Sequence, residues 1–254
     1  MISTGFRPAA DLSERFARQL LLAGFGEEQQ RRLRRATALV AGVGGLGGTA
    51  ALYLAAAGVG RLVLFHEGLL ELADLNRQVL MRPEWLGLER AECARAALRE
   101  LYPDVEIVAL PRRVDGHGVR PWLEGADIAL DCRHNFPERF ELNRACVRQG
   151  RPLVEAAMNA MEGYLTVIVP GVTPCLACLC PEGDPHWDPL GFAVLGAVPG
   201  ALGCFAALEA IKVIAGFGRA LTGRLLVLDL GHGEFRTYRA RRRHDCAVCG
   251  RHQG

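Results

Sequence analysis

The sequence predicts an α/β fold: a Rossmann-like, doubly wound and mostly parallel sheet, continued by antiparallel strands and carrying a structural zinc site. Three observations predict it. A strand-like run at residues 36–41 passes directly into a glycine-rich turn and a helix of small residues. Strand-like and helix-like segments then alternate as far as about residue 156. Two Cys-x-x-Cys pairs follow at a distance.

The glycine-rich turn predicts a phosphate-binding loop. Gly42 permits a tight turn, Gly44 lets backbone approach a phosphate, and Gly47 lets the next helix pack on the strand. Gly45 belongs to the same loop, and the helix is predicted over Thr49–Ala57. The first turn of such a helix offers unpaired N–H groups to an anion. This pattern alone is not specific to one function.

The other elements follow in chain order from apolar spacing, caps and breakers. The first helix begins near Glu14, where Asp11 and Ser13 can cap it, and ends by Gly24. Further helices are predicted over residues 27–35, 89–101, 137–148 and 202–215. Strands are predicted over 62–65, 105–110, 128–130, 152–155, 163–169, 224–229 and 234–239. The turn at 231–233 joins the last two strands as a hairpin, which predicts an antiparallel end of the sheet.

Length and composition limit the expected domain organisation, partners and cellular location. We expect the 254 residues to form a single domain, 1–254, with a nucleotide-binding half at 13–156 and a zinc-stapled half at 157–250. A net charge of +2 does not call for a nucleic-acid partner. The first ten residues lack the apolar core of a signal peptide, and no apolar stretch reaches membrane-spanning length. Nine cysteines without a signal peptide favour a reducing cytoplasm, and no membrane association is expected.

The cysteine pairs predict a metal site. Each pair, Cys175 with Cys178 and Cys246 with Cys249, can place two thiolates on one tetrahedral ion. Together they complete the four-sulfur set of structural zinc, which would tie the C-terminal tail to a mid-chain loop. Two redox pairs or unrelated free thiols are the alternatives.

Several motifs in one order resemble a known family. They are Arg15–Gln19, the Gly42–Gly47 loop, Asp74–Gln78, Glu209–Lys212 and the two cysteine pairs. In this order they resemble the ThiF/MoeB/HesA family, bacterial relatives of ubiquitin-activating enzymes, over about residues 13–250. The order of the motifs is more specific for the fold than for the reaction.

The resemblance implies an ATP-dependent adenylyltransferase. Such proteins bind Mg-ATP over the glycine loop and adenylate the C-terminal glycine of a small ubiquitin-like sulfur-carrier protein that ends in Gly-Gly. They release pyrophosphate and work as homodimers, and zinc staples their carrier-binding C-terminal half. A carboxylate is a poor electrophile, so catalysis consists mainly of alignment and charge neutralisation on the triphosphate.

The resemblance also assigns roles to residues. Arg18 matches an arginine that reaches the nucleotide across the dimer, and Arg77 matches a second phosphate contact, so both are catalytic candidates. The implied nucleotide and magnesium contacts are Gly42, Gly44, Gly45, Gly47, His66, Asp74, Asn76, Arg77, Arg90, Asp131, His134 and Asn135.

Four of these positions depart from the family pattern. His66 stands where an aspartate holds the ribose, Asp74 where the family has asparagine, and Arg90 where it has lysine. His134 stands where an aspartate binds magnesium, which leaves Asp131 or Asp74 to replace that ligand.

Two alternative functions remain open. The altered positions suit a catalytically degenerate relative that acts as a dimeric binding or regulatory partner. An NAD-dependent oxidoreductase is a further alternative, since Glu67 offers an acidic residue after the second strand, but it leaves the cysteine pairs unexplained. Cys180 and Cys204 are the candidate acceptor thiols, and Cys204 is expected to pack in the core.

Overall fold

The computed structural model describes residues 12–181, 191 and 193–250. Its strands are β1 (Thr37–Ala41), β2 (Arg61–Phe65), β3 (Glu106–Leu110), β4 (Ile128–Asp131), β5 (Leu153–Asn159), β6 (Glu162–Ile168), β7 (Arg224–Asp229) and β8 (Glu234–Arg239). Its helices are α1 (Leu12–Leu20), α2 (Glu27–Arg35), α3 (Gly45–Ala56), α4 (Arg90–Leu101), α5 (Arg120–Glu124), α6 (Phe136–Gln149), α7 (Leu176–Leu179) and α8 (Ala197–Ala215). Short 3-10 turns lie at Leu72–Asp74 and Pro83–Trp85.

One eight-stranded sheet runs through the described residues in the order β3-β2-β1-β4-β5-β6-β7-β8. β1 pairs in parallel with β2 on one side and with β4 on the other. The chain therefore adds β2 and β3 on one side of β1 and then crosses back to place β4 on the other side. Such a switch point opens a crevice at the carboxyl ends of β1 and β4. The glycine loop follows β1 at this edge, and residues 132–135 follow β4.

The second part of the sheet is antiparallel, as predicted. β6 pairs antiparallel with β5, β7 with β6, and β8 with β7. All residues of β8 are exposed, because it is the edge strand. The mixed α/β class and the hairpin at residues 231–233 are confirmed.

Two apolar layers cover the sheet. All five residues of β1 are buried, as expected for a central strand with helices on both faces. On one face α3 packs against α8 so closely that a Cβ at Gly203 would overlap the Leu46 carbonyl oxygen. α8 is long and apolar enough to cross a membrane by length and composition, a test that core helices also pass. Here it packs on α3, β5 and β6.

Several boundaries differ from the predictions. α3 begins at Gly45 rather than Thr49, so the later loop glycines already form the first helical turn. α8 begins at Ala197 rather than Leu202, with Pro199 in its first turn, where a missing N–H costs little. β5 is longer than expected, β6 is shifted by one residue, and the short α5 and α7 were not predicted. Asp11 and the side chain of Ser13 lie outside the described residues.

Candidate functional site

The glycine loop is tightly packed everywhere except at one position. Gly42 has a φ of +97°, and a Cβ there would lie 2.6 Å from the carbonyl oxygen of Cys132. A Cβ at Gly47 would overlap the carbonyl oxygen of Gly42, so both positions require glycine. At Gly44 nothing lies within 4 Å of the Cβ position. The loop therefore leaves open space directly before α3, where backbone N–H groups have no helical partner.

The start of α8 holds a second segment against this loop. A Cβ at Gly45 would lie 3.0 Å from Pro199 Cγ and 3.2 Å from the carbonyl oxygen of Arg77. A Cβ at Gly196 would overlap the carbonyl oxygen of Asn76. The structure thus brings Asn76 and Arg77, which are about thirty residues downstream, beside the glycine loop.

A buried histidine, His66, hydrogen-bonds to the backbone of the glycine loop. His66 is 4% exposed, and its Nδ1 accepts a hydrogen bond from the Val43 N–H at 2.8 Å. In the neutral imidazole the proton then lies on Nε2, a buried atom with no hydrogen-bond partner among the described residues. Burial, reinforced by the Arg133 charge, lowers the pKa of His66 well below its ordinary value. The ring is therefore neutral and presents a donor.

Asp74 gathers two arginines beside the loop. Its Oδ1 accepts from Arg77 Nη2 at 3.1 Å and from Gln78 Nε2 at 2.6 Å. Its Oδ2 accepts from the Glu71 N–H at 3.0 Å and faces Arg90 Nη1 at 3.5 Å. Both carboxylate oxygens are engaged, and the two guanidinium groups exceed the single carboxylate by one positive charge.

Arg90 is fixed by backbone as well as by Asp74. Its Nε donates to the Gly68 carbonyl at 3.3 Å and its Nη2 to the Glu67 carbonyl at 3.2 Å. Burial lowers the pKa of Arg90, and the Asp74 carboxylate opposes that shift. The Glu67 carboxylate itself lies on the surface, 3.0 Å from Arg113 Nε.

The loop after β4 contributes a third guanidinium. Arg133 is 5% exposed, its Nη2 donates to Glu138 Oε1 at 2.6 Å, and its Nη1 lies 3.4 Å from His66 Nδ1. Asn135 caps α6, since its Oδ1 accepts the Glu138 N–H at 2.9 Å. His134 is half-buried between them, and desolvation together with Arg133 lowers its pKa to about 4.

Asp131 belongs to a buried ion cluster. It is fully buried, its Oδ1 accepts the Arg133 N–H at 3.0 Å, and its Oδ2 lies 3.3 Å from Arg139 Nε. Arg139 also pairs with Glu155 and donates to the Tyr164 hydroxyl at 2.8 Å. Burial raises the pKa of Glu155 well above its ordinary value; Arg139 opposes this shift and Asp131 reinforces it.

These residues do not fit a magnesium ion. Magnesium prefers free carboxylate and water oxygens in octahedral geometry. Both Asp74 oxygens accept from protein donors, and the Asn135 side-chain oxygen caps a helix. Asp131 is fully buried, with Oδ1 on the Arg133 N–H and Oδ2 in an ion pair with Arg139. Within the described part of the chain, the one group of three or more His, Cys, Asp or Glu side chains close enough to share a metal is a set of cysteines.

Arg18 lies far from the loop in the same chain. It is exposed on α1, and the adjacent Gln19 donates to the Ala57 carbonyl at 3.3 Å, just beyond the end of α3. Gly44 precedes the start of that helix, whose 12 residues span roughly 18 Å. One chain therefore does not bring Arg18 and Gly44 together.

The two cysteine pairs converge on one point. The four buried Sγ atoms all lie within 4.8 Å of one another, with Cys175 to Cys246 at 3.7 Å and Cys178 to Cys249 at 3.4 Å. A tetrahedral ion at about 2.3 Å from each thiolate requires sulfur separations of about 3.8 Å. The cluster therefore fits zinc.

The comparisons with known proteins identify the family. The model of the ThiF family matches residues 16–248. The chain belongs to the ThiF family. A relative named protein HesA, vegetative, from Trichormus variabilis is 54% identical over 239 residues, which cover 94% of this chain and 90% of that protein. Adenylyltransferase and sulfurtransferase MOCS3 of Mus musculus is 45% identical over 251 residues, covering 96% of this chain and 55% of that protein.

Solved structures show the same fold. E. coli MccB with MccA-N7isoASN superposes with a TM-score of 0.83 at 22% identity, covering 96% of this chain and 76% of that one. E. coli MccB with ATP gives a TM-score of 0.78, also at 22% identity. The family resemblance and the fold class are therefore confirmed.

Sequence reasoning missed several charged residues of this site. Arg133, Glu138, Arg139 and Glu155 were not singled out, although Asp131 and Glu155 both stand at the ends of predicted strands. Cys204 is exposed, contrary to the core position expected for it, whereas the adjacent Gly203 is buried against α3. Cys180 is half-buried.

Proposed function

We propose that this chain is an ATP-dependent adenylyltransferase that activates the C-terminal carboxylate of a small ubiquitin-like sulfur-carrier protein ending in Gly-Gly. The observation that carries the proposal is the open position at Gly44, at the carboxyl edge of β1 and before α3. The guanidinium groups of Arg77 and Arg90 are held together beside that edge by Asp74. A triphosphate suits backbone N–H donors flanked by surplus positive charge.

The chemistry is one substitution at phosphorus. A carboxylate oxygen of the carrier attacks the α-phosphorus of ATP, the bond to the β,γ-phosphates breaks, and pyrophosphate leaves with the electron pair. The product is an acyl adenylate, whose acyl carbon has a good leaving group. The chain's contribution is to hold the phosphates on N–H groups and guanidinium groups, which neutralise charge without reorganising.

The relatives support this assignment. The name of mouse MOCS3 includes adenylyltransferase and sulfurtransferase, and that protein is 45% identical to this chain. The chain spans about half the length of MOCS3, so any sulfurtransferase activity of the remainder is not carried over. E. coli MccB, solved with ATP, shares the fold at 22% identity.

The proposed enzyme is a homodimer in a reducing cytoplasm. Arg18 is distant from Gly44 within one chain, so a second copy would have to supply it. We assign residues 13–156 to nucleotide binding and 157–250 to carrier binding, with structural zinc on Cys175, Cys178, Cys246 and Cys249. The ion would cross-link the tail to the mid-chain loop. All nine cysteines are free of disulfide bonds, which suits reducing conditions.

A degenerate binding partner is the second candidate. Neutral, buried imidazole at His66 and engaged carboxylates at Asp74 and Asp131 favour it, because these groups are committed to the protein itself. Such a protein would keep the fold and the dimer but form no acyl adenylate.

Pyrophosphate exchange separates the two candidates. Labelled pyrophosphate is incubated with ATP, the protein and candidate carriers ending in Gly-Gly, with carriers lacking the last glycine as the matched control. An adenylyltransferase incorporates label into ATP only with the intact carrier. Background exchange with every carrier tested would favour the degenerate partner.

Mixed dimers test the composite site. Arg18→Ala and Arg77→Ala are each expected to abolish exchange. A mixture of the two variants after subunit exchange regenerates one intact site per mixed dimer, or about a quarter of the wild-type rate. No recovery in a mixture shown to contain mixed dimers would rule out the supply of Arg18 by the second copy.

A further inference from the structure

We propose that the nucleotide site of this chain neutralises its triphosphate with fixed protein donors and holds no divalent cation for it. This inference rests on the proposed function and specifies the form of ATP that the site takes. Carboxylates are the protein ligands that a magnesium ion would need.

The carboxylates of Asp74, Asp131 and Glu138 are held by protein cations and N–H groups. Asp74 receives four hydrogen-bond donors, two at each oxygen, and two of them belong to guanidinium groups. Asp131 is fully buried, between the Arg133 N–H and Arg139. Glu138 accepts from Arg133, from Asn135 and from the Val114 N–H. Freeing an oxygen of Asp74 or Glu138 would leave its donors unpaired, and moving Asp131 would leave the Arg139 charge with one carboxylate fewer.

His66, His134 and Asn135 add no free oxygen ligand for magnesium. The Nδ1 acceptor of His66 is taken by the Val43 N–H, which leaves the Nε2–H as the other polar group of the ring. The Asn135 oxygen caps α6. His134 carries imidazole nitrogens, and magnesium selects oxygen over nitrogen ligands. These three residues therefore suit the bare anion better than its magnesium complex.

The charge balance points the same way. Arg133 pairs with Glu138, while Arg77 and Arg90 both pair with Asp74, and the exposed Glu71 carboxylate also acts on Arg90. The guanidinium groups favour an anion, as does the N-terminus of α3 after Gly44, which adds about half a positive charge. Magnesium bound to ATP would cancel part of the charge that the arginines attract and would occupy phosphate oxygens that they could contact.

Calorimetry on the wild-type chain tests the inference. ATP is titrated into the protein once in EDTA and once in excess magnesium at the same ionic strength. The inference predicts a Kd in EDTA no weaker than the Kd in magnesium. A Kd at least tenfold tighter in magnesium would overturn it while leaving the proposed function intact. No binding under either condition would overturn both.

A matched pair of variants sharpens the test. His134→Asp adds a carboxylate to the loop after β4, and it is expected to weaken ATP binding in EDTA and to make binding tighten when magnesium is added. His134→Asn is similar in size without the charge, and its binding is expected to stay indifferent to magnesium. Magnesium dependence in His134→Asn would contradict the inference. Thermal unfolding shows whether each variant is folded. If His134→Asp does not fold, the wild-type titration in EDTA and in magnesium tests the inference.

Discussion

At the scale of single residues, the site depends on histidines that stay neutral. His66 must keep Nδ1 unprotonated to accept the Val43 N–H, and it lies against Arg133. His134 lies in the same field, near Arg133, Arg90 and Arg77, with Glu138 the opposing charge. Protonation of either ring would add a charge to a desolvated and already positive region.

The stability of the chain should therefore fall in mild acid. The pKa of His134 is about 4 in the folded chain against 6.5 in the unfolded chain. Below 6.5 the unfolded chain binds a proton that the folded chain refuses until about pH 4, so stability is lost through this window, and His134 has no effect above it.

His134→Asn should reduce the loss of stability between about pH 7 and about pH 5. Urea unfolding midpoints measured at about pH 7 and about pH 5 should differ less in the variant than in the wild type. His117→Asn, at an exposed position, is the control and should keep the wild-type difference. An unchanged difference in His134→Asn would contradict the assignment of a neutral buried ring.

Glycine roles could be predicted at this scale, but side-chain partners could not. Gly42 and Gly47 follow from the strand–turn–helix pattern, because the geometry of that turn excludes a Cβ wherever it occurs. The donors to Asp74 come from residues 71, 77, 78 and 90, and the last of these follows a long irregular segment. Apolar spacing carries no information about that contact.

At the scale of elements, α6 carries two ion pairs of opposite character. Arg139 faces the sheet and forms ion pairs with Asp131 and Glu155, and its side chain is only 7% exposed. Arg144 pairs with Glu141 on the outer surface, where the two side chains are 38% and 36% exposed. A buried charge that loses its partner is costly, whereas a screened surface pair contributes little.

Two substitutions on α6 should distinguish the buried ion pair from the exposed one. Arg139→Met leaves Asp131 buried without its cation and should cost about 3–5 kcal/mol of unfolding free energy. Arg144→Met should cost about 1 kcal/mol or less. Urea denaturation near neutral pH measures both. Equal costs would show that the inner cluster is not the main restraint between α6 and the sheet.

Element types were predictable, but the starts of α3 and α8 were not. Glycine has low helix propensity, so Gly45 and Gly47 favoured a loop in the sequence. In the folded chain, small residues let α3 and α8 approach closely, as at Gly203, and this tertiary packing overrides propensity. Strands were easier to predict, because buried apolar runs between breakers mark them directly.

At the scale of the whole molecule, the cysteine cluster joins distant parts of the chain. Residues 175 and 178 follow β6, and residues 246 and 249 follow β8 at the end of the described chain. Arg242 strengthens the same connection, donating to the Gly171 carbonyl at 2.8 Å and also to the Cys249 carbonyl. The spacing of the cysteines predicted this long-range contact, whereas the pairing of β6 with β5 and with β7 could not be read from the sequence.

Metal analysis should find one zinc per chain in protein purified without chelator. Cys246→Ser should lose the zinc and expose the C-terminal tail to limited proteolysis, because the link to residues 175–178 is broken. Cys204→Ser removes an exposed thiol outside the cluster and should retain both the zinc and the protease resistance. Full zinc content in Cys246→Ser would contradict a four-thiolate site.

The central claim is that the open backbone at Gly44 receives the phosphates of ATP. Gly44 has a φ of −69° and free space around its Cβ position, so Gly44→Ala should fold like the wild type. Gly125→Ala is the control, since Gly125, directly after α5, has a φ of −95° and equally free space. The most direct measurement is calorimetric titration of ATP into the three folded proteins. The account predicts that Gly44→Ala loses at least tenfold in affinity while Gly125→Ala matches the wild type; equal affinity in all three would contradict it.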